Sequence, residues 1–487
     1  MYIVQIASEI APIAKVGGLA DVLIGLSREL VWKGHSVDIL LPKYDCLETR
    51  YLQFTPCEKE IQSYFKGSFH NNTIWTSPLN GDLKVTFIEP HHPAKFFERG
   101  QIYGCPDDND RFLYFSRACL DYLKTLKQVP DVIHLHDWET AMVAALLKDP
   151  AFKEHFAKTK IVFTIHNLEY QGRCSTFNLD DIGYAGPKEK LLHPQSSDMN
   201  LMKAGIIYAD AVTTVSPTYA KEIMTQGGEA SKGLLDVLVQ NKNKFCGILN
   251  GLDYVYWNPE QDRFLTFHYT LADLKAKAQN KWHLLEELGM QKNESKPLIV
   301  SIARLVLQKG VHLLREAVIH AKKSNAQYIL LGTAQDPEII QEFTELQNQF
   351  QKDPDIRIIL KNEEALAHRL YAASDLFLVP SLFEPCGLTQ MIALRYGSIP
   401  IVRKTGGLAD TIVDVETSGE PFEKTNGFSF DLPDVLSTNG ALDRAFMFWR
   451  GQRERWEELM RRGMQWDFSW KEPCKSYEKI YQQLPSK

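Results

Sequence analysis

The chain has 487 residues, 44% of them hydrophobic and 24% charged, which excludes a disordered chain or a fibrous repeat and describes a soluble globular protein. At roughly 150 residues per domain it holds two to three domains, or two large ones, and either half is long enough to bury a core. Lys and Arg number 55 against 61 Asp and Glu, a net charge of −6, so bulk charge gathers no nucleic acid, while a local anion pocket stays open.

The N-terminus, Met1-Tyr-Ile-Val-Gln-Ile-Ala-Ser-Glu, has neither the basic region nor the apolar length of a signal peptide. Tyr2 to Ala7 reads as a buried strand. A Pro/Gly loop follows, and then Leu19, Val22, Leu23, Leu26, Leu30 and Val31 recur at helical spacing until Gly34. Ser36 to Leu41 is the next strand, which completes a βαβ unit and predicts a parallel sheet with a right-handed crossover. The rhythm continues with strands at Val85–Ile88, Val132–Leu135, Ile161–Ile165 and Ala211–Val215, and helices between several of them, one at Arg111–Leu126.

A second series predicts strands at Pro297–Ala303, Tyr328–Leu331, Ile356–Leu360, Leu376–Val379 and Ile399–Val402, with helices around 311–323, 337–350, 364–373 and 387–396. Two such runs predict an α/β protein of two doubly wound, Rossmann-like domains. The joint falls between 240 and 296, a stretch with a polar helix near 271–288; the division is 1–245, 246–465 and a tail at 466–487. No apolar run is long enough for a membrane span. Eight cysteines, with no C-x-x-C pair, fit free thiols in a reducing cytoplasm.

Ligands of open α/β sheets bind beyond the carboxyl ends of the strands, and the polar clusters lie there. Lys15-Val-Gly17-Gly18 follows the first strand; its glycines let a ligand approach the backbone, and Lys15 suits a phosphate. The plainer reading is a turning loop with a solvated lysine. The absence of G-x-G-x-x-G removes the main support for a dehydrogenase. Lys404-Thr-Gly-Gly repeats the pattern in the second half. Arg304 and Lys309 follow the strand ending at Ala303, and two such cations can clamp a diphosphate. Ser381-Leu-Phe-Glu384-Pro-Cys386-Gly387-Leu388-Thr389 joins a strand to a helix starting near Gly387. Glu384 there is either a helix cap or a carboxylate for sugar hydroxyls, beside amides of Gly387 and Leu388 aimed at phosphate. Cys386 suits tight packing better than nucleophilic attack. His134-Leu-His136-Asp137 and His166-Asn167 close two strands of the first half; two histidines do not make a metal site, and Asp137 with His166 suits sugar hydroxyls.

Together these residues resemble the bacterial glycogen synthase and plant starch synthase family. The matching segments are Lys15-Val-Gly-Gly-Leu, His136-Asp-Trp, His166-Asn-Leu-Glu-Tyr-Gln-Gly172, Gly247-Ile-Leu-Asn-Gly-Leu-Asp253, Arg304 with Lys309-Gly310, Glu384-Pro-Cys-Gly-Leu-Thr-Gln390 and Lys404-Thr-Gly-Gly-Leu. The resemblance implies two Rossmann-like lobes facing a cleft, the GT-B type, with the tail crossing back to the first lobe. It implies retaining transfer of glucose from ADP-glucose to the non-reducing end of an α-1,4-glucan such as glycogen, with neither metal nor cofactor, in the cytoplasm. By the same resemblance Lys15, Gly17, Gly18 and Asp21 meet the donor and Arg304 and Lys309 bind its diphosphate. Glu384 meets the glucose, and Gly387, Leu388 and Thr389 contact the nucleotide side. His166, Asp137 and Asn250 line the glucose and acceptor side, Asn250 and Cys386 being counted with the donor set as well. Val16 and Thr405 differ between the two glycine loops, so these are not equivalent.

Overall fold

The run Tyr2–Ile6 is buried at every position, as a strand covered on both faces must be. In the computed structural model, which describes residues 1–57, 60–79, 83–225 and 228–484, it lies inside a ten-stranded sheet. It pairs in parallel with Ser36–Pro42 on one side and Val132–His136 on the other. Lys160–Ile165, Ala211–Thr214 and Phe245–Gly247 extend the second side, all parallel. The chain thus winds outward from Tyr2–Ile6 in one direction and later in the other. The topological switch falls between Tyr2–Ile6 and Val132–His136, and such a switch opens a crevice at the strand ends.

The other side departs from the all-parallel expectation. Leu83–Pro90 is parallel to Ser36–Pro42 but antiparallel to Ser68–Leu79, which pairs antiparallel with Ile61–Phe65 and Thr55–Pro56. The sequence rhythm hides this hairpin because Ile61–Phe65 alternates buried and exposed residues instead of forming an apolar run. Its two-residue turn is marked by Lys66 and Gly67, both at positive φ, 48° and 82°, as the twist of a hairpin requires.

The second sheet has six parallel strands in the order Ile356–Ile359, Gln327–Thr333, Leu298–Arg304, Leu376–Val379, Ile399–Arg403, Phe428–Phe430. Its switch falls between Leu298–Arg304 and Leu376–Val379. The polar helix of the joint is Lys275–Glu287, and two helices absent from the sequence reading, Val435–Gly451 and Arg453–Gln465, cover this sheet.

The chain divides into two units, Met1–Gly251 with Ser469–Lys487, and Leu252–Phe468. The last helix, Lys471–Gln483, places Cys474, Tyr477 and Tyr481 in the core of the first unit. Burying rings of this size contributes about 2–3 kcal/mol each. Gly25 makes the room: a Cβ there would lie 2.0 Å from the indole nitrogen of Trp470. Of the expected tail, residues 485–487 lie outside the described residues.

Candidate active site

In the second unit the strand Leu298–Arg304 ends at the switch. Arg304 is exposed, and its guanidinium has no hydrogen-bond or ion-pair partner among the described residues. The chain then makes one short turn, Leu307–Lys309, closed by Gly310 at φ 67°. A Cβ at Gly310 would lie 2.3 Å from the Pro380 carbonyl oxygen, so glycine lets the two switch loops touch. They are laced by Leu382 N–H donating to Gln308 O at 2.8 Å and Gln308 Nε2 donating to Phe383 O at 3.2 Å.

The lacing brings Lys309 to Glu384. Lys309 Nζ donates to Glu384 Oε2 at 2.5 Å, and Ser381 Oγ donates to the same oxygen at 2.8 Å. The carboxylate side chain is 8% exposed and the lysine 21%, while Oε1 accepts nothing among the described residues. Glu384 is therefore not the helix cap that its position suggested. The helix begins only at Thr389, because Gly387, at φ 74°, holds the left-handed conformation that ends a turn rather than opens a helix. Cys386 is buried, as packing demands.

The second glycine loop explains itself here. Gly407 N–H donates to Glu384 O at 3.1 Å. A Cβ on Gly406 would meet that oxygen at 1.9 Å, and one on Gly407 would meet Cys386 O at 2.0 Å. Lys404-Thr-Gly-Gly thus seats the Glu384–Cys386 backbone and opens a six-residue helix, Gly406–Thr411, whereas the first copy opens the fifteen-residue Gly18–Trp32. Two residues to which the sequence analysis gave no role hold the same segment. Arg403 bonds the carbonyls of Ser381 and Leu382, and Gln390 Nε2 donates to Gly387 O at 2.7 Å.

In the first unit Lys15 Nζ pairs with Asp21 Oδ1 at 2.9 Å. The loop amides expected to face phosphate are partly taken: Val16 and Gly17 both donate to Glu9 Oε2 at 2.7 Å, and Tyr103 OH donates to Oε1 at 2.8 Å. Gly17 is extended at φ −136°. Across the switch, Asp137 sits between strand and helix at φ 57°, a strained position for a residue with a Cβ. Its Oδ1 accepts the amides of His166 at 2.7 Å and Asn167 at 3.3 Å, so Asp137 fixes the turn that carries His166 and keeps Oδ2 open. Burial pushes its carboxyl above the ordinary range. Asn250 is buried with Oδ1 unpartnered among the described residues. His134 and His136 are engaged with protein groups at both ring nitrogens, and no cluster of three or more metal-ligating side chains occurs among the described residues.

Comparison with known proteins gives the family. Residues 2–238 match the model for the starch synthase catalytic domain, and residues 289–458 that for glycosyl transferases group 1. The chain is 48% identical over 505 residues, covering all of both chains, to the glycogen synthase of Protochlamydia amoebophila. The chain belongs to the glycogen synthase and starch synthase family. Its fold, a GT-B pair of Rossmann-like units, matches the catalytic domain of starch synthase IV from Arabidopsis thaliana, solved bound to ADP and acarbose, with a TM-score of 0.96 at 45% identity over 99% of each chain. A sucrose-phosphate synthase from Thermosynechococcus elongatus, at 16% identity and a TM-score of 0.60 over 99% of this chain and 98% of that one, shares the fold alone.

Glu139, in the first turn of the helix after Asp137, is buried, and its Oε2 has no partner among the described residues. Burial, then Asp137, push its carboxyl well up. A group whose folded pKa exceeds its unfolded value stabilises the fold at low pH and loses that contribution as pH rises through the folded value. Glu139→Gln, which carries no charge at any pH, therefore raises the melting temperature relative to wild type more at pH 8 than at pH 5. A melting-temperature difference equal at both pH values would show that Glu139 titrates normally.

Proposed function

We propose that the protein is an ADP-glucose:α-1,4-glucan glucosyltransferase, a cytoplasmic glycogen synthase that extends the non-reducing end of the chain with retention. The observation that carries this reading is the unpartnered Arg304 one short turn from the Lys309–Glu384 pair, at the switch of the second sheet. Departure of ADP leaves charge on the diphosphate while the glucosyl ring becomes cationic. Arg304 can grip two phosphate oxygens and Lys309 adds a point charge, so leaving-group stabilisation calls for neither metal nor cofactor. One such preorganised contact is worth on the order of 3 kcal/mol.

Glu384 keeps Oε1 for sugar hydroxyls while Lys309 and Ser381 hold Oε2. Gly387, Leu388, Thr389 and the buried Cys386 form the nucleotide side. Lys15, Gly17, Gly18 and Asp21 meet the donor, and Asp137, His166 and Asn250 serve the glucose and acceptor side. Retention needs either a carboxylate nucleophile or attack on the departing face. Asp137 has one oxygen committed to two amides and burial favours its protonated form, which makes it a poor nucleophile. The reading therefore takes same-face attack, the leaving phosphate oxygen accepting the acceptor's proton.

We assign acceptor binding to the first unit. A pocket of about 440 Å³ is lined by Trp138, Tyr170, Arg173, His193, Gln195 and Lys232, among others. Its cations are paired, Lys232 with Glu169 and Arg173 with Asp198, and Tyr170 is 54% exposed. Neutral polar edges around an open aromatic face suit a polyhydroxyl chain better than an anion.

The deciding experiment mixes the purified protein with ADP-glucose and maltoheptaose and follows free ADP together with chain length. Stoichiometric ADP release and elongation by single glucose units are expected. Release without elongation, or elongation from UDP-glucose at a higher kcat/KM, would displace this reading.

A further inference from the structure

His166 is not oriented by the backbone alone. Its Nε2 lies 2.9 Å from Nδ1 of His136, and Nε2 of His136 lies 2.7 Å from Oε1 of Gln5. Gln5 Nε2 in turn donates to Ser27 Oγ at 3.2 Å. Gln5, Ser27 and His136 are fully buried, and they come from the first strand, the first helix and the strand across the switch. A buried polar chain of this kind holds only if each member finds its complement.

The proton positions follow link by link. Burial holds both imidazoles far below their usual pKa, His166 at about 3 and His136 lower than the ordinary range, so each ring is neutral and has one N–H. In the orientation that the structure gives the Gln5 amide, Nε2 faces Ser27 and the oxygen, which only accepts, faces His136, so the His136 proton sits on Nε2. Nδ1 of His136 is then an acceptor, and the His166 proton must sit on Nε2 to fill it. What remains is Nδ1 of His166 as a bare lone pair. It has no partner among the described residues, and His166 is half-buried rather than sealed.

We propose that Gln5 and His136 are positioning residues that lock His166 in its Nε2–H tautomer, so that Nδ1 meets the substrate as an acceptor for a sugar hydroxyl and never as a proton donor. The proposal rests on the reading that His166 faces the glucose. It assigns work to a glutamine inside an apolar strand, where the sequence alone shows a core position. It also separates the two histidines of His134-Leu-His136. His134 bonds Thr164 Oγ1 at 2.7 Å and Tyr481 OH at 2.8 Å and takes no part in the relay.

Neutron diffraction from crystals of the deuterated wild-type protein reads the tautomers directly. Deuterium on Nε2 of both His136 and His166 is expected, and deuterium on Nδ1 of His166 would overturn the proposal. Kinetics supply the second arm. Gln5→Met removes the acceptor, lets His136 take either tautomer, and lowers kcat about tenfold, the worth of one well-placed hydrogen bond. Gln5→Glu, protonated at so buried a position, offers a carbonyl to His136 and a hydroxyl to Ser27 and stays within about twofold of wild type. Equal losses in the two variants would mean that Gln5 merely fills space, and would sink the relay. The neutron readout requires no turnover, so an inactive wild type would refute the proposed function while leaving the tautomers to be judged separately.

Discussion

Arg304→Ala lowers glucosyl transfer at least ~10²-fold and leaves thermal stability unchanged within about 0.5 kcal/mol, the ordinary range for a surface side chain. The guanidinium is exposed at a strand end and has no hydrogen-bond or ion-pair partner among the described residues, so no polar contact of the fold is lost with it. In the proposed reaction its worth lies in the charge that develops on the departing diphosphate. Lys309→Ala loses as much turnover for the same reason, yet it also strips Glu384 of its cation. Breaking a fully buried pair costs about 3–5 kcal/mol; with Lys309 21% exposed, about 2 kcal/mol is expected once water reaches the carboxylate. Steady-state kinetics and urea midpoints on both variants separate the roles. Near-native turnover in both would remove the diphosphate clamp, and equal loss of stability would show that Arg304 has a structural partner after all.

How much of this could be read from the chain depends on the range of the interaction. Strands such as Leu376–Val379, found where the apolar run predicted, declare themselves because a parallel strand is apolar throughout. The position of Arg304, Lys309 and Glu384 at the switch is legible too, since each stands shortly after such a run. What stays hidden is made by pairing between distant segments. Glu9 meets the amides of Val16 and Gly17 only because the loop doubles back, Ile10 bridging Ala14. Arg403 reaches the carbonyls of Ser381 and Leu382 because Val379 lies in register with Val402, a fact of sheet order. The expected helix start at Gly387 fails by two residues for a local reason: a glycine at positive φ is indistinguishable in sequence from one that opens a helix. Gln5 shows the same gap, since burial of a polar side chain is legible only once its partners are known.

The strongest test of that hidden layer is a single methyl group. Gly407→Ala is expected to cut turnover at least ~10²-fold, although Gly407 binds no substrate in the proposed reaction. The added Cβ would lie 2.0 Å from Cys386 O and 2.5 Å from its Cα. Both are backbone atoms, and no rotamer relieves the contact. The Glu384–Cys386 segment must therefore shift, and Glu384 loses its register with Lys309 and Ser381. A displacement near 1 Å at a positioning residue costs about two orders of magnitude in rate. The matched control is Gly440→Ala, in the exposed face of Val435–Gly451 with nothing within 4 Å of the new carbon. That variant keeps full activity and gains about 0.5–1 kcal/mol from helix propensity. Native turnover in Gly407→Ala, measured beside this control, would mean that the glycine pair is incidental and that Glu384 is held in place by the Lys309 and Ser381 contacts alone.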